Sequence, residues 1–127
     1  MGLANNYSLG ILGESLATRY LISQGYQIVA RNFHTQYGEL DCIARKNDEL
    51  VFLEIKTRSN FQSGTESAVS RRKQLKMSRT ALVFLASYPQ YDNMLTRFDI
   101  IIIHTCKGNI RIEHTPDAFF PDASCFP

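Results

Sequence analysis

The chain has 127 residues, 44% of them apolar and 20% charged, a composition that excludes a disordered protein and gives enough chain for a packed core. A net charge of +2 is too small to argue for nucleic acid by itself, so the distribution of charge must carry any such argument. No apolar run can span a bilayer, Met1–Leu9 lacks a basic stretch followed by an apolar one, and Cys42, Cys106 and Cys125 fit neither a disulfide framework nor a zinc site, which makes a cytoplasmic location without membrane contact the default expectation.

Residues 8–24 are expected to be helical, because Leu9, Leu12, Leu16, Ala17, Tyr20 and Leu21 recur at helical spacing and Gly25 is a natural stop. Glu14 falls at the margin of that apolar arc and leans toward the sheet. Gly10 and Gly13 weaken the helix by about 1 kcal/mol each, a cost that close packing on a sheet would explain. Strands follow at 26–33, 38–46 and 49–58, the last two joined by a tight turn at Asn47-Asp48. Ser59–Glu66 reads as a polar loop beside the end of the third strand, placed to close over a substrate. A second helix is expected over 67–87, with Leu75, Ser78, Leu82 and Leu85 buried and Arg72, Lys76 and Arg79 clustered on another side, Arg71 and Lys73 at its edges. Tyr88–Leu95 is a loop, 96–104 a buried strand and 110–114 a final strand, with Arg97 and Asp99 on one face as a structural pair. His34, His104 and His114 show no metal-ligand spacing. The whole of 1–127 is expected to form one domain, with a core of about 8–115 and an irregular tail at 116–127 that packs Phe119 and Phe120.

The chemistry concentrates on the hairpin. With Asn47-Asp48 as a two-residue loop, Lys46 faces Glu49, and counting back sets Asp41 opposite Glu54 and Glu39 opposite Lys56. Directly opposed side chains share a sheet face with Cβ atoms about 4.5–5.5 Å apart. Opposed carboxylates repel and call for a cation, and Mg²⁺ is held by one or two carboxylates together with waters and a substrate phosphate. A lysine two residues beyond the second acid can orient the attacking water or hold a phosphate oxygen, which suits phosphodiester hydrolysis. An acid-x-lysine tripeptide alone arises by chance about once per one to two hundred residues, and cross-strand ion pairs are an equally simple origin for such charges. What singles them out is their place beside Leu50-Val51-Phe52-Leu53, a run apolar enough to be buried on both faces. Five basic residues within 71–79 form the strongest charge concentration of the chain; they suit phosphate-backbone contact, although a solvated helix face has the same signature.

The landmarks Gly13-Glu14 with Ala17 and Leu21, Gly25-Tyr26, Arg31-Asn32-Phe33, Gly38-Glu39-Leu40-Asp41 and Val51-Phe52-Leu53-Glu54-Ile55-Lys56-Thr57-Arg58 occur in that order. They are followed by Gly64, Lys73-Gln74, Arg97-Phe98-Asp99, Ile112-Glu113-His114 and Ala118-Phe119. Over roughly residues 8–120 this pattern resembles the YraN-like family of small bacterial predicted endonucleases, related to archaeal Holliday-junction resolvases in the PD-(D/E)XK nuclease superfamily. The resemblance implies a restriction-endonuclease-like α/β fold, a mixed central sheet of about five strands flanked by helices, and a Mg²⁺ or Mn²⁺ site. It makes Asp41 and Glu54 the paired acids, Lys56 the catalytic lysine and Glu14 an extra acid from the first helix, with Lys73 or Gln74 reaching a phosphate. Cys42 stands where the family has an aliphatic residue, a small change because a buried cysteine behaves as a small hydrophobe.

The leading expectation is therefore a metal-dependent endonuclease acting on DNA, branched DNA included. Asp41 and Glu54 bind the ion with the Ile55 carbonyl, Lys56 positions the water, Glu14 completes the site and Glu39 is a further candidate. Arg71, Arg72, Lys73, Gln74, Lys76 and Arg79 hold the DNA backbone. The related resolvases act as dimers, so a homodimer is expected as well. The alternatives are a non-catalytic nucleic-acid-binding or adaptor domain on a nuclease fold, and an interaction protein whose basic helix meets an acidic partner.

Overall fold

A computed structural model describes residues 6–59 and 69–121. The elements run α1 (Asn6–Ser23), β1 (Gln27–Thr35), β2 (Gly38–Lys46), β3 (Glu49–Arg58), α2 (Arg71–Ser87), a 3₁₀ turn (Pro89–Tyr91), β4 (Leu95–Cys106) and β5 (Asn109–Phe119). Among the described residues they build the mixed five-stranded sheet expected from the sequence, in the order β1-β2-β3-β4-β5. Only β3 and β4 are parallel, and α2 lies between them in the chain, as a parallel connection requires.

Local chemistry sets the boundaries. Gly25 at φ 95° ends α1, with Tyr26 N–H donating to the Leu21 carbonyl at 2.9 Å and Gly25 N–H to that of Ile22 at 3.0 Å, the paired bonds of a Schellman cap. Asn47 at φ 55° turns β2 into β3, with Lys46 opposite Glu49 as the two-residue loop demands. Helix α2 begins at Arg71 rather than at 67, because Ser70 is its N-cap and accepts from Lys73 N–H at 3.1 Å. Strand β5 runs well past the expected end at His114. Pro116 is tolerated because β5 is an edge strand with an irregularity opposite Phe98–Ile100. Phe119 stacks on Phe98 at 4.8 Å, whereas Phe120, expected to pack, is 75% exposed.

Each sheet face carries its own core. Leu40, Ile43, Leu50, Phe52, Phe98 and Phe119 meet Met77, Ala81 and Phe84 of α2. Cys42, Ala44, Val51, Leu53, Ile101 and Ile103 meet Ala17 and Leu21 of α1. The alternation along Leu50-Val51-Phe52-Leu53 therefore serves both helices, which is why the run is apolar throughout. The buried side of α2 is Met77, Ser78, Thr80, Ala81 and Phe84; of the expected residues only Ser78 belongs to it, and Leu75, Leu82 and Leu85 are half-buried. Leu12 of α1, expected inside, is 47% exposed. Among the described residues no helix is long and apolar enough to cross a membrane.

Gly13 shows what holds α1 at its height above the sheet. A Cβ built there would collide with the Thr57 hydroxyl of β3, whereas one at Gly10 would meet nothing within 4 Å. Gly10→Ala is thus expected to stabilise the fold by about 0.5–1 kcal/mol through helix propensity. Gly13→Ala should instead cost about 1–3 kcal/mol as α1 is pushed off β3, and should move Glu14 with it. Paired thermal melts check this; equal gains in both variants would contradict the close approach.

Candidate active site

The site forms where β2 and β3 part. Their ladder runs from Lys46↔Glu49 to Cys42↔Leu53 and ends, while β3 continues beside β4 from Glu54 to Arg58. The expected oppositions of Asp41 to Glu54 and of Glu39 to Lys56 are thus absent from the ladder. In their place Ile55 N–H donates to Asp41 Oδ2 at 2.7 Å. A carboxylate has taken the position of a strand partner and satisfies a backbone donor left open by the splaying strands. On the other side of Asp41, β1 adopts φ 53° at Asn32, between the Arg31↔Cys42 and Phe33↔Leu40 pairs. Asn tolerates this left-handed conformation far better than most residues. Leu40 and Ile43, three apart, both reach the α2 core across this irregular stretch.

Asp41 is only 9% exposed, and its burial pushes the carboxyl up to about 7. The Ile55 N–H works against that rise, while the charges of Glu54, Glu14 and Glu39 add to it. Three acids, from α1, β2 and β3, are thus close enough to act on Asp41 despite the altered register. Glu39 itself is exposed and lies 3.0 Å from His34 Nδ1 of β1. Alternation along β3 sends Glu54 to the side of Leu50 and Phe52, where its Oε1 lies 3.3 Å from Lys73 Nζ of α2. A cavity of about 540 Å³ opens at the end of β3, walled by Glu14, Glu54, Ile55, Lys56 and Arg58 together with Leu9, Gly10, Thr57 and Ser59. Cys42 is buried beside Asp41, and its thiol is pushed up to about 12, chiefly by that burial, so it serves as core.

Among the described residues, no three His, Cys, Asp or Glu side chains stand together as a ready-made metal shell. The donor chemistry nevertheless fits a hard divalent ion, which needs one or two carboxylates and takes its remaining oxygens from carbonyls, waters and substrate. Asp41, bonded to the Ile55 N–H, and Glu54, which shares the cavity wall with Ile55 and Glu14, are the carboxylates such an ion would use. Burial raises Asp41 first and the neighbouring acids add to it, and a cation would relieve both effects.

The first turn of α2 reaches this site through Lys73. Arg71, Arg72, Lys76 and Arg79 are exposed along α2, and Lys73 is half-buried against Glu54. Gln74 is turned inward, its Nε2 donating to the Val69 carbonyl at 2.9 Å, so it shapes the entry to the helix. The loop read at Ser59–Glu66, with Gly64, lies outside the described residues from 60 onward.

A second polar cluster is buried elsewhere in the sheet, where sequence reading found only its central pair. Arg97 Nε and Nη2 donate to the two oxygens of Asp99 at 2.8 and 2.9 Å. Arg97 also reaches Glu49 at 2.8 Å and the Tyr26 hydroxyl at 2.7 Å. His114 Nε2 meets Asp99 Oδ2 at 2.7 Å, the Tyr20 hydroxyl lies 3.0 Å from His114 Nδ1, and Asp117 N–H donates to Asp99 Oδ1 at 3.1 Å. These bonds tie Tyr20 of α1 and Tyr26 to β4 and β5, with Asp99 on the cross-strand row of Leu53 and Cys42, two strands over from β2. His104, fully buried, is likewise bonded to Glu113 at 2.9 Å. His104 and His114 thus serve as internal hydrogen-bonding groups, whereas His34 is exposed beside Glu39.

Comparison with known proteins assigns the chain to a family. Residues 13–103 match the family described as "Uncharacterised protein family UPF0102". A UPF0102 protein of Syntrophomonas wolfei is 42% identical over 115 residues, covering 90% of this chain and 99% of the relative. One from Geobacter metallireducens is 44% identical over 117 residues, covering 91% and 94%. One from Treponema pallidum is 39% identical over 119 residues, with the same coverage of 91% and 94%. Among solved structures, Pyrococcus furiosus SfsA in complex with Ca²⁺ is similar at a TM-score of 0.36 and 13% identity, over 87% of this chain and 63% of that one, a likeness too slight to bear on function. The chain belongs to the UPF0102 family, the YraN-like group.

Proposed function

We propose that this protein is a divalent-metal-dependent nuclease that hydrolyses phosphodiester bonds in DNA. The observation that carries the reading is the charge-loaded junction of β2 and β3. There Asp41 is buried under the influence of Glu14 and Glu54, and Lys56 lines the adjoining cavity. Asp41 and Glu54 would hold Mg²⁺ or Mn²⁺ with the Ile55 carbonyl, and Glu14 would support them. The bound ion would supply Lewis-acid polarisation of the phosphoryl group. Lys56 contributes a positive charge from the cavity wall, suited to holding the attacking water or a phosphate oxygen in line. Burial of Asp41 keeps its carboxylate oriented by the Ile55 N–H, so that little reorganisation is needed when substrate arrives. Arg71, Arg72, Lys73, Lys76 and Arg79 give the electrostatic contact that a DNA backbone requires.

A cleavage assay on branched, single-stranded and duplex DNA with Mn²⁺ or Mg²⁺ tests this reading. The parent should cut at least one substrate, and Asp41→Asn, Glu54→Gln and Lys56→Ala should each slow cutting by about 10²–10⁴-fold. Equal cutting by all four proteins would place the activity elsewhere. Salt-sensitive binding without cutting on every substrate would assign the chain to the adaptor class instead.

A further inference from the structure

We propose that Lys73 is a resident counter-ion for Glu54, displaced when a divalent cation enters, and that the ammonium so released becomes a contact for the substrate phosphate. The proposal rests on the nuclease reading and adds the device that couples ion binding to DNA binding.

Three observations lead there. Lys73 Nζ lies 3.3 Å from Glu54 Oε1, with the lysine side chain 36% exposed and the glutamate 15%. The ammonium therefore caps the more deeply buried carboxylate from its more exposed side. Next, the backbone of Lys73 is fixed. Its N–H is held by the Ser70 hydroxyl at 3.1 Å, and the preceding turn is held by the Gln74 amide on the Val69 carbonyl at 2.9 Å. The long side chain thus hangs from an anchored point and can change partner without moving the helix. Finally, the first turn of α2 carries Arg71, Arg72 and Lys73 with no acid of its own. Cations at the positive end of a helix are unfavourable, so Glu54 is a needed neighbour until another anion takes its role.

A divalent ion and an ammonium cannot both claim the same Glu54 oxygen at full strength. Entry of the ion turns Lys73 out, and a phosphate is the natural next partner because Lys73 belongs to the same basic helix as Arg71, Arg72, Lys76 and Arg79. Ion and DNA should therefore each strengthen binding of the other, as reciprocal coupling requires.

The test follows Mn²⁺ binding by electron paramagnetic resonance for the parent, Lys73→Met and Lys73→Arg. It also follows duplex-DNA affinity by fluorescence anisotropy in Ca²⁺ and in EDTA. Removing the competing ammonium should tighten Mn²⁺ binding about three- to tenfold in Lys73→Met, while Lys73→Arg stays near the parent. Ca²⁺ should raise DNA affinity in the parent by more than in Lys73→Met. A purely structural lysine would leave Mn²⁺ affinity unchanged or weaker in Lys73→Met, and that result overturns the proposal while leaving the metal site intact. A parent that binds no Mn²⁺ overturns both this proposal and the nuclease reading. Melting curves in EDTA confirm that each variant is folded, since the helix cap uses the backbone of residue 73 and survives the substitution.

Discussion

Asp41→Asn should make the protein inactive and, at the same time, harder to melt. In the parent the Asp41 carboxyl is raised to about 7, first by burial and then by Glu54, Glu14 and Glu39, against the opposing pull of the Ile55 N–H. The net sign means that charge on Asp41 opposes folding. Below about pH 4 both folded and unfolded forms are protonated and nothing is lost. Between there and about 7 the unfolded chain ionises first, so stability falls as pH rises, and above that range the whole penalty is present. Asparagine keeps an oxygen for Ile55 N–H and removes the charge. At pH 8 in EDTA its melting temperature should exceed that of the parent by about 3–8 °C. Added Mn²⁺ should stabilise the parent and leave the variant unmoved. A lower melting temperature for Asp41→Asn would mean that the charge-assisted bond to Ile55 outweighs the crowding of acids. This is the trade expected where function stores unfavourable charge in a binding site.

The largest loss of stability should come from Asp99→Asn, in the hydrogen-bonded cluster two strands over from β2. Both Asp99 oxygens are fully used, by Arg97, His114 and the Asp117 N–H, and the side chain has no exposure to water. An asparagine must turn its amide toward Arg97 or toward His114, setting donor against donor inside the fold. Breaking a buried pair in this way costs about 3–5 kcal/mol, read as a fall of about 10–20 °C in melting temperature. A loss below about 1 kcal/mol would show the network to be dispensable. The same group sets an acid limit. Burial alone would raise the Asp99 pKa, but the hydrogen bonds from His114, Arg97 and Asp117 N–H outweigh it and hold the carboxyl below its usual range. Its contribution is complete above the unfolded value of about 3.9 and is lost as pH falls through the lower folded value. Urea melts between pH 2 and 6 should show this limit in the parent and lose it in Asp99→Asn.

How much of this was legible beforehand depends on how local the cause is. The β2–β3 hairpin was readable to the residue, since Asn47-Asp48 fixes the turn and the apolar run fixes the faces. Its failure at Asp41 was not, because there a side chain replaces a backbone partner and no periodicity records that. The left-handed Asn32 lies inside β1, and a single Asn in a strand-like run does not announce a positive φ. The buried face of α2 differs from the one its leucines suggest for a physical reason. Ser78 and Thr80 hide their hydroxyls by donating to the Gln74 and Lys76 carbonyls at 2.8 Å, so polar residues sit in the core while leucines lie at its margin. Arg97 and Asp99 could be paired from strand alternation alone. The arrival of Tyr20, Tyr26 and His114 at the same point is tertiary and had no sequence signal. Pro116 concealed the length of β5, since only the finished sheet shows that strand to be an edge.

Direct titration of Mn²⁺ into the purified protein at pH 8 addresses the core of the argument without relying on a chosen DNA substrate. The acid cluster should take up one ion per chain, and Glu54→Gln should weaken that uptake at least about tenfold by removing one of two liganding carboxylates. Uptake of the same strength in parent and Glu54→Gln, or none in either, would contradict it.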